Sequence, residues 1–161
     1  MKTTAAYWRE TLQLTQHVEG GSFRETYRAP LVLQQPAGPR AASTGIYFLL
    51  EDGEFSAFHR IASDEMWHFY DGVTLHIYEI KPEGTLTVHR LGKDLAQGEQ
   101  LQLVIPAGSW FASSVEETGG FALVGCTVAP GFDFADFELA EKTTLSKLFP
   151  QHAGLIGLLT R

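Results

Sequence analysis

Apolar and polar positions change rhythm several times along the chain. Residues 3–14 set Tyr7, Trp8, Thr11, Leu12 and Leu14 at mixed three- and four-residue spacings behind Thr3 or Thr4, which predicts a short amphipathic helix with a threonine cap. The stretch "GGSFRETYRA" then alternates, with Phe23, Glu25 and Tyr27 facing one way and Arg24, Thr26 and Arg28 the other, as an extended strand places them. "LVLQQPAGPRAAS" holds two prolines and a glycine in its second half and reads as a loop.

From residue 45 the chain becomes a series of short β-rich runs: "TGIYFLL", "EFSAFHRI", "EMWHFY", "VTLHIYEI", "GTLTVHRL", "EQLQLVI", "SWFASSV" and "FALVGCTVA". Turn signals such as "EDG", "KPEG" and "ETGG" separate them, and almost no helix intervenes. That pattern predicts an all-β antiparallel sandwich or barrel. Several runs are apolar on both faces, so one face is expected to meet the core and the other a second sheet or subunit. Helix returns at the end, with Thr143 or Thr144 capping "LSKLF" before a final "AGLIGLL" segment. No linker or repeat divides the chain, and a single domain over 1–161 is expected.

Composition narrows the function. With 44% hydrophobic residues, among them eleven Phe, five Tyr and three Trp, the chain can fill a large aromatic core. A formal charge of −7 argues against nucleic acid, whose backbone is gripped by clustered Lys and Arg. The single Cys126 excludes an intrachain disulfide and a cysteine-only zinc site, and in its apolar strand it reads as inert packing. Neither a secretion signal nor a run of about 20 apolar residues is present, so a cytoplasmic protein without a membrane partner is expected.

The candidate chemistry lies in "GEFSAFHRIASDEMWHFYDG", residues 53–72. Residues two apart on a strand share a face, so Ala57, His59 and Ile61 align. Glu65 joins from the next strand; if it points inward, Trp67 and Phe69 do too, and His68 turns outward with Met66 and Tyr70. The parity of His76 beyond the Gly72 turn is not countable. His17, His89 and His152 have no companion groups and read as surface.

The spacing of Gly53, His59, Ile61, Glu65 and Gly72 resembles the first motif of the cupin superfamily, whose ligand positions carry His, His and Glu. "PAGSWFASSV" resembles the second motif, but with Phe111 at the position of the fourth ligand and Val115 at that of an Asn. "EGGSFRETYR", "FHRIASDEMWHF", "PAGSWFA" and "GCTVAPGFDFADFELA" further resemble a branch without a settled reaction, called the fifth cupin domain family. The resemblance implies a double-stranded β-helix, a cupin jelly-roll barrel of the sugar-epimerase type with a pocket inside the barrel, assembled as a homodimer; the short N- and C-terminal helices read above flank it.

Two of the four ligand positions, Ile61 and Phe111, are apolar, whereas a catalytic metal needs three protein ligands and an open position. The expectation is therefore a metal-independent cupin enzyme with no cofactor, acting as an epimerase, isomerase or dehydratase by proton transfer on a small sugar- or nucleotide-like molecule. His59 is the expected base and Glu65 its orienter or a second acid–base group. Tyr47 is the acid by likeness to metal-free cupin epimerases, which pair a histidine base with a tyrosine acid. Ala57, Ile61, Trp67, Phe111 and Phe132 are the expected walls, and Arg24 and Arg28 either grip a substrate anion or pair with neighbouring acids. A non-catalytic binding cupin, a metal-dependent cupin and a purely structural His59–Glu65 pair are the alternatives. "PGFDFADFEL" reads as a strand or loop closing the barrel mouth.

Overall fold

In the computed structural model, which describes residues 3–161, three helices and thirteen strands follow in order. They are α1 (Ala5–Thr11), β1 (Thr15–Gln16), β2 (Ser22–Arg28), β3 (Val32–Gln35), β4 (Gly38–Ala41), β5 (Thr44–Glu51), β6 (Phe55–Arg60) and β7 (Asp64–Gly72). There follow β8 (Leu75–Ile80), β9 (Leu86–Leu91), β10 (Gln102–Ile105), β11 (Trp110–Val115), β12 (Phe121–Ala129), β13 (Glu138–Leu139), α2 (Lys142–Leu148) and α3 (Ala153–Leu158). The strands form a six-stranded sheet, β1-β2-β5-β12-β7-β10, and a five-stranded sheet, β13-β6-β11-β8-β9. Every ladder within them is antiparallel, giving the two sheets of a jelly roll. No helix among the described residues is long and apolar enough to cross a membrane.

Three apolar clusters hold the layers together. The largest is built from strand residues of both sheets, with Phe48, Trp67, Ile77, Ile105 and Phe111 all but inaccessible. Burying each such side chain contributes roughly 2 kcal/mol. A second cluster seats α2 and α3 on Phe58, Ile80 and Trp110 of the five-stranded sheet. The third packs α1 on Leu49 and Leu123 of the six-stranded sheet. These outer layers explain why the strand runs are apolar on both faces.

Thr4 caps α1 as expected, its hydroxyl accepting the Tyr7 N–H at 3.1 Å. Three local expectations change. "LVLQQPAGPRAAS" is not a loop but contains the isolated β3–β4 hairpin, where Pro39 is tolerated because a two-stranded ribbon leaves half of its N–H groups unpaired. At α2 the cap is Glu141, whose carboxylate accepts the N–H groups of Thr143 and Thr144, so those threonines lie inside the helix. In β2, register slips between Glu25 and Tyr27, leaving Thr26 as an extra residue. This bulge flips the alternation, so that Phe23, Glu25 and Arg28 all line one cavity.

Candidate functional site

His59 sits on the inner side of β6, opposite Phe111 of β11, with ring centres 4.1 Å apart and only 3% of the residue exposed. Its Nδ1 lies 2.7 Å from the Ala57 carbonyl, and its Nε2 lies 3.0 Å from Oε2 of Glu19. A carbonyl only accepts, so Nδ1 carries a proton. Nε2 then either donates to the Glu19 carboxylate or accepts from its acid form, and the pair shares one proton.

Glu19 reaches this position from the turn between β1 and β2. His17 N–H donates to Gly21 O, Gly20 N–H donates to His17 O, and the Glu19 carbonyl accepts from Ala57 N–H at 2.7 Å. Gly20 adopts a φ of +111°, and a Cβ there would fall 2.1 Å from the Phe55 carbonyl oxygen. Only glycine lets the turn press so closely on β6 and drive Glu19 inward. The Glu19 N–H donates to Nδ1 of His17 at 3.2 Å, which fixes His17 as a neutral imidazole with its proton on Nε2. Burial pulls the His17 pKa down further, against the upward pull of Glu19.

Burial penalises charge on both members of the central pair, but their attraction wins. Glu19 is pushed up by burial and more than pulled back by the His59 charge and hydrogen bond, so its pKa ends low. His59 is pulled down by burial and more than restored by Glu19 and the Ala57 carbonyl, so its pKa ends high. The proton therefore resides on the imidazole. Glu65 behaves differently. Burial, with 8% of the residue exposed, and the neighbouring Glu19 charge raise it to about 7, against a partial offset from His59 and the Cys126 thiol. Burial also pushes the Cys126 thiol well above its ordinary range, which makes it a poor nucleophile.

These groups open on a cavity of about 290 Å³. His59, Ile61, Glu65, Arg28 and Phe132 line it. Trp67 and Phe111 stand behind that lining in the main core, and Ala57 lies beneath His59 as its backbone partner. The structure does not bring Tyr47 into the cavity: alternation on β5 sends Ile46 and Phe48 inward and Tyr47 outward, against α1 and the Tyr70 ring. Arg24 is likewise absent from it; the β2 bulge separates its face from that of Arg28, and its guanidinium donates to the Leu12 carbonyl at 3.1 Å. Arg28 does line the cavity, held by both oxygens of Glu25 at 2.9 and 2.8 Å and by the Phe132 carbonyl at 3.1 Å. His68 faces outward as parity requires, bonded to Thr127 and Gln102.

Sequence reading passed over Glu19, took His17 for a surface residue and read Asp133 as part of a segment closing the barrel mouth; all three line the cavity together with Glu25. The one sequence cue was the Gly-Gly pair after Glu19, a turn that places the preceding side chain against another strand. His59 is paired with Glu19, not with Glu65, and this leaves Glu65 without a strong partner.

Residues 6–140 match the family Cupin_5, described as Cupin superfamily (DUF985). The chain belongs to this family. Over 139 residues this cupin is 32% identical to Uncharacterized protein YML079W of Saccharomyces cerevisiae, a match spanning 77% of this chain and 69% of the relative. The crystal structure of protein SO0799 from Shewanella oneidensis matches with a TM-score of 0.92 and 46% identity over 99% of both chains. A hypothetical protein from Leishmania major matches with a TM-score of 0.93 and 34% identity, over 98% of this chain and 99% of that one.

A metal site of the cupin kind does not fit the donors of this cupin. Both nitrogens of His59 are engaged, Ile61 and Phe111 offer no ligand atom, and no group of three or more His, Cys, Asp or Glu side chains arranged to hold an ion occurs among the described residues.

Proposed function

We propose that this cupin is a metal-independent isomerase of small, hydroxyl-rich carbonyl compounds of the sugar class, working by proton transfer next to the carbonyl; epimerisation and dehydration belong to the same chemistry. The observation that carries the reading is Glu65: a carboxyl group lining a cavity, shielded from water, with a pKa of about 7. A base of that strength is ionised in part of the population at neutral pH and returns the proton readily once it has taken it. In the forward step the substrate C–H bond breaks, its proton joins Glu65, and the electron pair moves onto the carbonyl oxygen. The positive charge of His59, held in place by Glu19 and the Ala57 carbonyl, stabilises the resulting enolate. Returning the proton to the former carbonyl carbon, while the proton of the adjacent hydroxyl moves to the former carbonyl oxygen, gives the isomer without oxidant or reductant.

His59 thus serves as a fixed charge and Glu65 as the proton carrier, with Tyr47 taking no part. The test is an assay in heavy water against a panel of aldoses, ketoses and nucleotide-linked keto sugars, read by proton NMR. Deuterium is expected to enter the carbon next to the carbonyl of at least one compound, and Glu65→Gln is expected to slow its entry by about 100-fold or more while leaving affinity largely intact. Exchange at the same rate in the variant, or in no compound, would overturn the proposal, and binding without exchange would favour a cupin that only carries its ligand.

A further inference from the structure

The rim of the cavity is charged in a way that selects among substrates. Its lining has four carboxyl groups, Glu19, Glu25, Glu65 and Asp133, against one guanidinium, Arg28, and the His59 imidazolium. Both N–H groups of His59 are taken, by Glu19 and the Ala57 carbonyl, and Glu25 clasps Arg28 through two hydrogen bonds. An anionic substrate therefore finds no N–H of His59 free and meets Arg28 only as half of a pair whose charge Glu25 already offsets.

Asp133 is different. Only its Oδ1 is engaged, accepting the Ala135 N–H at 2.8 Å, and although its charge supports Arg28 and Arg40 from beyond contact distance, it forms no direct ion pair among the described residues. It is flanked by Phe132 and Phe134, whose rings meet edge to face at 5.0 Å, and Phe23 joins them in the lining. A carboxylate set among aromatic rings attracts an organic cation by charge and by ring quadrupole together. Deeper in, Glu65 is more than nine-tenths buried, lines the same cavity and has only the Cys126 thiol as partner, so its oxygens await a group from the ligand.

We propose that the substrate carries a protonated amine, as an amino sugar does, and that Asp133 with Phe132 and Phe134 receives this ammonium group at the mouth while the carbonyl end reaches Glu65. The proposal rests on the cavity being the substrate site, as in the proposed function, but not on the chemistry performed there. Of the two readings of Arg24 and Arg28, anion grip or pairing with neighbouring acids, it sets aside the first, and Arg28 pairs with Glu25.

NMR titration of the full chain at about pH 6.5 with glucosamine, glucose and glucose 6-phosphate tests it, because the three probes share a ring and differ in charge. Glucosamine is expected to bind about tenfold more tightly than glucose, with shifts at Val128 and Ile61, and glucose 6-phosphate to bind weakest. Asp133→Asn should erase the preference for the amine, and Glu25→Gln, by freeing Arg28, should raise affinity for the phosphate. Equal affinities, tightest binding of the phosphate, no binding of any probe, or an unchanged preference in a natively folded Asp133→Asn chain would each overturn it. Proton exchange without an amine preference sinks only this inference, whereas an amine preference without exchange sinks only the proposed chemistry.

Discussion

A Glu65→Gln variant is expected to resist denaturation better than the parent at about pH 8, by about 3 kcal/mol, and to match it near pH 4. The sign follows from the raised pKa. In the unfolded chain Glu65 loses its proton around 4.5, but in the folded protein it keeps it until about 7. Between those values the folded state binds the extra proton, so stability falls as pH rises, and above about 7 the full penalty of a buried carboxylate is present. Glutamine has the shape of the protonated acid and carries no such penalty. Urea unfolding at the two pH values reads the difference directly. A variant that gains stability and loses deuterium exchange is the pattern of a group kept strained for chemistry.

Glu19→Gln should do the opposite, and on the acid side. With the carboxylate gone, His59 faces burial without its charge partner and sheds its proton, accepting a hydrogen bond from the amide that replaces the acid. The unfolded chain still protonates His59 around 6.5. Below that value the unfolded state binds the extra proton, so the variant loses stability as pH falls, by about 2 kcal/mol more at pH 5 than at pH 8. The parent has the reverse dependence at this site: its raised His59 contributes stability that is fully present below about 6.5 and lost only as pH rises through the higher folded value. Glu19, with its lowered pKa, contributes above about 4.5 and loses its effect only in stronger acid. Denaturation curves at the two pH values, set beside the parent's, separate this outcome from simple loss of packing, which would cost the same at both.

Much of the architecture was legible because β-strand alternation is a strong local signal. On β7 it put Glu65 and Trp67 inside and His68 outside, as found. It failed where the local rule is broken or doubled. On β2 a single bulged residue moved Arg28 to the face of Glu25 and away from Arg24, and nothing in "SFRETYR" announces the slip. On β5 both faces are apolar because α1 covers the outer one, so the run "TGIYFLL" does not reveal that Tyr47 belongs to the α1 side. The pairing of His59 with Glu19 was hidden for another reason: it depends on a turn far upstream whose carbonyl is anchored to Ala57, a tertiary contact that no periodicity encodes. The apolar exchanges at Ile61 and Phe111 were visible as departures from the cupin motif, but the acid that partners the remaining imidazole was not.

One cavity is expected to keep two separate protonation states, a charged imidazole tied to Glu19 and a carboxylic acid at Glu65 poised near neutrality. Carbon-13 and nitrogen-15 NMR of the Glu65 carboxyl and the His59 ring, followed as pH is raised from about 5 to about 9, measures both at once. The expected result is a Glu65 midpoint near 7 with His59 still protonated on both nitrogens at that point. A Glu65 midpoint near 4.5, or a His59 ring that loses its proton near or below 6.5, would contradict it.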